Sequence, residues 1–475
     1  MTAPNPPQTY PAYAHELPWR EVGDVLATLG DVPWMACLDS GGDIAPRGRW
    51  SFICIDPVHV LVARAGRCML DGREAGDDPL ALLRGLVPSF SCPVQVPFAG
   101  GAIGFADYRF GQRAMGLATR HEADPWQPEF VAAIYDHVMV FDRHARQAWV
   151  AGYGTQADTA RQREKVRRLW DMVTPDAPVP PMPRVPFMAD RTPRAYRQAV
   201  ARARKYIAAG DIFQVNITSR MWGDRPPGLS AMAAYRALRA TSAAPFGAFL
   251  SCGPDFALLC ASPERFISLD AAGTITTRPI KGTAPRDPDP VRDRQLAHAL
   301  RQDDKECAEN LMIVDLMRND IGQVARIGSV RVPELFSVER FVHVHHLVSE
   351  VRATLQAGHD GIDLLRVTLP PGSVTGAPKH RAMQVIDELE SSARGPYCGV
   401  VFRIGGDGAM DSSVIIRALT LTRDRIWAAA GGGITILSDP DREYDEMCLK
   451  IAALLAVFGG MPPTGEEQAS EEKRG

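Results

Sequence analysis

The sequence predicts an α+β fold. Three observations lead there. Residues 16–173 carry short apolar runs broken by glycine, the pattern of strands joined by turns. Beyond residue 190, helix and strand signals alternate in mixed runs rather than in a regular strand–helix repeat. No short-period repeat organises the chain.

In the first region, Trp34 to Leu38, Trp50 to Ile55, Val58 to Val62, Phe98 to Tyr108 and Ala132 to Phe141 read as strands. Asp158 to Met172 is the clearest helix there. Residues 1–15 read as a loose arm. Residues 174–186 hold six prolines in thirteen positions, which excludes a helix and marks a connecting segment, extended here to 174–190. The second region, 191–460, opens with a helix from Thr192 to Ala209: Thr192 caps it, Pro193 suits its first turn and Gly210 stops it. Phe213 to Thr218 alternates as a strand, Ser230 to Thr241 is helical, and Gly247 to Leu250 and Phe256 to Cys260 are strands. Arg292 to Asn319 reads as one long helix. Phe341 to Thr354 is a strand, Gly361 to Leu369 and Pro378 to Leu389 are helices, and Ile415 to Leu419 and Ile426 to Ala429 are strands. A helix from Asp441 to Val457 closes the fold, and the polar end, 461–475, reads as disordered.

Of the 475 residues, 45% are hydrophobic and 23% charged, the balance of a globular protein with a large core. A net charge of −3 gives no footprint for nucleic acid. Nine scattered cysteines without a C-x-x-C pair fit reduced thiols. No apolar run reaches membrane-spanning length, and the proline-rich start has no basic segment followed by an apolar core, so a cytoplasmic location is expected.

The candidate chemistry centres on Arg278-Pro279-Ile280-Lys281-Gly282-Thr283. A lysine beside a Gly-Thr turn can hold an anion as a cation or attack as an amine. The same hexapeptide also suits a solvated turn. Glu306 and Glu309 lie three apart on one helix, and Glu443 and Glu446 repeat the spacing on another, with Lys450 one turn further. Either pair alone is an ordinary solvated helix face. Facing each other, four carboxylates would repel, and Mg2+ would relieve that. His343, His345 and His346 lie in a strand, where neighbours point to opposite faces, so they do not converge on one ion. Gly431-Gly432-Gly433 could cradle a carboxylate or simply turn a hairpin. Arg417, inside an apolar run, calls for an anionic partner. Gly372 to Lys379 opens a helix whose N-terminus favours an anion, without the spacing of a nucleotide P-loop.

With these pieces in order, the chain resembles the chorismate-utilising enzymes over roughly residues 30–460. The matching motifs are Gly210 to Asn216, Ser262-Pro263-Glu264-Arg265-Phe266, Arg278 to Thr283, Glu309 to Asp320, His345 to Ser349, Gly372 to Lys379, Gly431 to Gly433 and Glu443 to Lys450. The resemblance implies the anthranilate synthase component I-like fold, two stacked, mainly antiparallel sheets flanked by helices. At Lys281 the anthranilate branch looks like alanine and the aminodeoxychorismate branch like lysine; Asn310 also looks like the latter. Gln214 departs from the lysine of the isochorismate and salicylate branches.

Carried over, the resemblance implies amino-group transfer to chorismate through a covalent lysine adduct. Lys281 would be the nucleophile and Glu264 the general acid, with His346 beside the ring. Glu309 and Glu446 would hold Mg2+ directly, and Glu306 and Glu443 through water. Gly431, Gly432, Gly433 and Lys450 would hold the ring carboxylate, Tyr397 and Arg417 the enolpyruvyl carboxylate, and Gln214, Gly282 and Thr283 would line the substrate. Asp39 and Ser40 would lie in the family's tryptophan-pocket region, where Asp39 departs from the usual glutamate. No glutaminase motif is present, so ammonia is expected from a separate class I glutamine amidotransferase subunit. The alternatives are the anthranilate activity and a non-catalytic subunit that binds chorismate or tryptophan.

Overall fold

In the computed structural model, which describes residues 10–42, 48–341 and 344–462, the chain builds two twelve-stranded sheets. The pairings that build them are antiparallel. The first sheet runs in the order Ala12–Leu17, Gln147–Tyr153, His137–Asp142, Trp50–Cys54, Ala36–Asp39, Phe246–Ser251, Phe256–Ser262, Ala418–Thr422, Arg425–Ile434, Gln214–Asp224 and Met188–Ala189, with Gly376–Ala377 paired to Gln214–Asp224. The second runs Ile280–Pro285, Val344–Thr354, Thr274–Thr277, Arg265–Leu269, Met410–Val414, Val400–Gly405, Gly101–Ala106, Phe130–Tyr135, His59–Arg64, Arg67–Leu70 and Arg73–Gly76, with Arg331–Arg340 paired to Val344–Thr354.

The sheets stack through one apolar layer. Phe105 of the second sheet stacks on Phe256 of the first, centroids 5.6 Å apart, among Ala36, Cys54, Leu258 and Val401. Helices cover the outer faces. Helix Pro193–Ala208 shows why: Tyr196, Ala199, Val200 and Ala203 fall on one side and are buried, while the Thr192 side chain accepts from Ala195 N. That buried side packs against helix Pro440–Leu455.

The boundary read at 174–190 does not divide the molecule. Strands from before it and after it share both sheets: Asp39 pairs with Gly247, and Phe105 with Val401. The proline-rich stretch itself ends in a strand, Met188–Ala189, because its last residues regain free N–H groups and reach the edge at Trp222 and Met221. The arm is likewise shorter than read: Ala12–Leu17 pairs with Gln147–Tyr153 and forms an edge of the first sheet. Residues 1–9 of the arm, most of the 461–475 tail and His343 lie outside the described residues.

Three further differences concern the site. The expected long helix is two, Pro290–Gln302 and Asp304–Gly322. Asp303 takes an extended conformation (φ −73°, ψ 111°) and its carboxylate accepts from Glu306 N at 2.9 Å, starting a new helix. The three glycines do not turn a hairpin; they sit inside strand Arg425–Ile434, where Gly431, Gly432 and Gly433 pair with Thr218, Ile217 and Asn216. Arg417 is not in a strand interior: it precedes Ala418–Thr422 with φ 51°. The hairpin partner Arg331–Arg340 escapes sequence reading because it is charged, contains Pro333 and is largely exposed.

Asp303→Ala should lower stability by about 1 kcal/mol, the usual worth of an N-cap. Urea denaturation reads this directly, and an unchanged midpoint would show that the cap does not set the helix break.

Candidate active site

The lysine strand, Ile280–Pro285, is the last strand of the second sheet, and its pairing with Val344–Thr354 slips by one residue. Ile280 faces Val348, and the next registered pair is Thr283 with His346. Lys281 and Gly282 therefore oppose Leu347 alone, which is a β-bulge. Gly282 has φ 82°, a conformation natural to glycine, and its missing Cβ leaves room for Glu306: a Cβ there would lie 3.0 Å from Glu306 Oε2. The bulge re-aims Lys281 toward the first sheet. Its Nζ lies 3.5 Å from the position a Cβ would take on Gly433, and Gln214 Nε2 lies 2.2 Å from that same position. Glycine at 433 is what lets both side chains approach the strand.

Two helix starts bring in the carboxylates. Glu306 is in the first turn of Asp304–Gly322 and Glu443 in the first turn of Pro440–Leu455, capped by Asp439. Both positive helix ends favour anions there. Burial pushes the Glu309 carboxyl above the usual carboxylate range; Lys281 and Lys305 offset this in part, while Glu306 and Glu443 add to it. Burial also raises Glu443, against a 2.6 Å hydrogen bond from Ser438 Oγ, with Glu446 adding repulsion. Glu446 is more exposed, and although desolvation pushes it up, Lys450, Lys305 and Lys281 hold it below the usual range. Lys450 Nζ bonds Glu446 at 2.7 Å and donates to Gly431 O at 3.1 Å, fixing the last helix to the glycine strand. Lys305, 3.9 Å from Glu309, is a cation of the site that sequence reading missed, since an exposed lysine beside two glutamates looks like any helix surface.

The four expected metal ligands thus share one electrostatic environment. Among the described residues no three His, Cys, Asp or Glu side chains are gathered closely enough to hold an ion. The donor set still fits Mg2+, which takes one or two carboxylates and completes its shell with water and substrate oxygens.

A second group is tied together by backbone bonds. Glu264 follows strand Phe256–Ser262; its N–H donates to Ser262 Oγ and its carbonyl accepts from Val414 N. Arg417 O accepts from Ala261 N at 3.0 Å, and Cys398 N, next to Tyr397, donates to Ile415 O at 2.8 Å. Arg417 has no carboxylate partner among the described residues. Its side chain is open to solvent, and desolvation by the surrounding chain pulls it below the usual guanidinium range. A bend at positive φ places it where an outside anion can reach it. Burial pushes the Tyr397 hydroxyl well up. Gln214 Oε1 is buried with no partner among the described residues, a polar atom left over for a ligand.

His346 Nδ1 lies 3.0 Å from Thr283 Oγ1, and its ring meets Phe341 edge-on at 5.1 Å. His345, its neighbour, is fully buried, and Nε2 meets Asp293 at 2.8 Å, so the two histidines do point to opposite sides. Lys379 is buried and salt-bridged to Asp320, locking the Gly372–Lys379 segment to helix Asp304–Gly322. A cleft of about 1280 Å³ runs beside that helix and reaches Glu309 and Gln214.

Away from this site, a cavity of about 310 Å³ is lined by Asp39, Ser40, Trp50, Phe246, Arg265 and Asp411. Asp39 is engaged there by Arg239 at 2.5 Å, by Ser51 Oγ and by Tyr235 OH, and Ser40 Oγ donates to Trp50 O.

Residues 43–456 match the family of chorismate binding enzymes. The chain is 39% identical over 459 residues to aminodeoxychorismate synthase component 1 of Salmonella typhimurium, covering 92% of this chain and 96% of that one. It is also 39% identical over 418 residues to anthranilate synthase component 1 of Thermus thermophilus, covering 86% and 89%. The crystal structure of anthranilate synthase component I from Streptococcus pneumoniae superposes with a TM-score of 0.76 at 30% identity, covering 87% of this chain and 93% of that one. With a family match across most of its length and a solved relative that superposes over 87% of the chain, the chain belongs to the chorismate binding enzymes.

Proposed function

We propose that the chain is the chorismate-converting component of an aminodeoxychorismate synthase, adding ammonia to chorismate to form 4-amino-4-deoxychorismate on the route to 4-aminobenzoate and folate. The observation that carries this reading is Lys281, turned by the bulge across the site to Gly433 and Gln214. Overall similarity does not separate the two synthase branches, since both are represented at 39% identity. A side chain able to form a bond with substrate does separate them.

The chemistry follows from the groups present. The Lys281 nitrogen uses its lone pair to bond ring carbon 2 of chorismate; the ring double bonds shift and the 4-hydroxyl leaves as water, taking its proton from Glu264. Ammonia then bonds carbon 4, the double bonds shift back and the carbon 2–nitrogen bond breaks, returning the amine to Lys281. Two allylic shifts place the new nitrogen where the oxygen was. Gly431 to Gly433 let a carboxylate approach strand Arg425–Ile434, Lys450 supplies a cation beside it, and Arg417 and Tyr397 meet the second carboxylate. Gln214 offers its unpaired Oε1 to the substrate. His346, held by Thr283, borders the ring. Mg2+ held by Glu309 and Glu446, with Glu306 and Glu443 behind its waters, would supply positive charge that neutralises the glutamates and anchors the ring carboxylate. Ammonia would come from a separate glutamine amidotransferase subunit, in the cytoplasm. No helix among the described residues is long and apolar enough to cross a membrane.

Incubation with chorismate, Mg2+ and ammonium, followed by chromatography, should give aminodeoxychorismate; fluorescent anthranilate would overturn the assignment in favour of the other branch, and no turnover would favour a binding subunit. Intact mass should show a chorismate-derived adduct on the wild type that Lys281→Ala lacks; an adduct persisting in that variant would remove Lys281 as nucleophile. Gly433→Ala drives a methyl group into Gln214 and should raise the chorismate KM roughly tenfold, the scale of a 1–3 kcal/mol overpacking cost. Glu443→Gln relieves repulsion, so the metal-free Tm should hold or rise while its increase with added Mg2+ disappears. A Mg2+ response equal to wild type would argue against that ligand set.

A further inference from the structure

Asn310 is fully buried immediately after Glu309 on helix Asp304–Gly322. It is tied to the bulge that carries Lys281. Ser349 Oγ accepts from Phe336 N at 3.0 Å, so the hydroxyl proton is free to go to Asn310 Oδ1, 2.5 Å away. That fixes the amide orientation and turns Nδ2 to two carbonyls, Pro279 O and Leu347 O, each at 3.5 Å. These two carbonyls flank the bulge. Pro279 lies two residues before Lys281, and Leu347 is the single residue opposite Lys281 and Gly282. Ser349 N also donates to Pro279 O, at 3.2 Å. One turn earlier, Glu306 packs into the space left by Gly282. The helix bearing two carboxylates therefore grips the bulge at two points four residues apart, one through a side chain packed on glycine and the other through a buried amide.

We propose that Asn310, with Ser349 behind it, is a positioning residue that sets the aim of Lys281 relative to Glu309 and thereby commits the reaction to the lysine route. The inference rests on the proposed function and deepens it. A bulge has one residue unpaired and little ladder bonding to define it, so its geometry depends on what holds the flanking carbonyls. Asn310 supplies that hold from the same helix that places the carboxylates, so the amine and the acidic groups move as one unit. Removing the amide leaves Pro279 with the Ser349 N–H alone and frees Lys281 to shift. Chorismate would still bind, because among the described residues Asn310 bonds only Pro279, Leu347 and Ser349 and none of the expected carboxylate partners.

The test is Asn310→Ala and Ser349→Ala beside wild type and Lys281→Ala. Each is assayed by the rate of adduct formation in rapid-quench intact mass, by kcat and KM for chorismate with ammonium, and by Tm. Asn310→Ala should slow adduct formation and kcat together by about 100-fold, the effect of a misplacement near 1 Å, with KM changed less than about threefold. Ser349→Ala should act in the same direction. The double variant should be no slower than the worse single one, as expected of residues acting through one contact. A wild-type adduct rate in a folded Asn310→Ala or Ser349→Ala variant would overturn the proposal, as would kcat losses that only track the folded fraction. If Asn310→Ala does not fold, Ser349→Ala decides by the same criteria. Failure of the underlying function is distinguishable: it would appear as no adduct on the wild type itself.

Discussion

Placing a lysine among four glutamates at the starts of two helices is the constraint on which the site depends. Two of the carboxyls, Glu309 and Glu443, sit above their usual range because burial and the charge of neighbouring glutamates outweigh the nearby lysines. Such a cluster stores unfavourable energy, and it is relieved by whatever positive charge arrives. Two capped helix ends make it tolerable, with Asp303 and Asp439 fixing each first turn and the helix dipoles offering partial positive charge. Lys450 bonds one glutamate to the glycine strand, and Lys305 reaches another from the helix surface.

The two-sheet architecture gives that cluster its shape. The lysine strand is the last strand of one sheet and the glycine strand lies near the end of the other, so the site forms where the two layers meet at one side. Glycine is needed at two places for opposite reasons. Gly282 takes a left-handed conformation that turns the bulge, whereas Gly433 is an ordinary strand residue whose lack of a side chain makes room for Lys281 and Gln214. Interleaving of early and late strands in both sheets means that the N-terminal third completes the two sheets that carry the candidate site. The cavity around Asp39 and Ser40 lies in that shared region, lined from both halves of the chain.

How far sequence reading reached depended on whether a signal was local. The Thr192 cap, the Ser230 to Thr241 helix and the last helix were all legible because a cap and an apolar stripe sit within a few residues. The glutamate spacing and the Lys-Gly-Thr turn were legible as motifs. The break at Asp303 was not, since aspartate within a charged helical run carries no punctuation comparable to proline or glycine. Arg417 was misplaced because an apolar neighbourhood was taken for a strand interior, whereas the backbone bends at positive φ there. The Gly372–Lys379 segment was legible as a helix start, but not the salt bridge of its Lys379 to Asp320, fifty-nine residues away.

By itself, the sequence determined the mix of elements, the candidate site residues and the family to which the chain belongs, because residue type, period and ordered motifs are properties of the chain alone. Tertiary structure alone decided which groups meet. A one-residue slip in strand pairing aims Lys281, a buried asparagine ties it to the carboxylate helix, and strands from both ends of the chain close the same two sheets. Those outcomes follow from register and packing between segments far apart in sequence, and neither leaves a local trace.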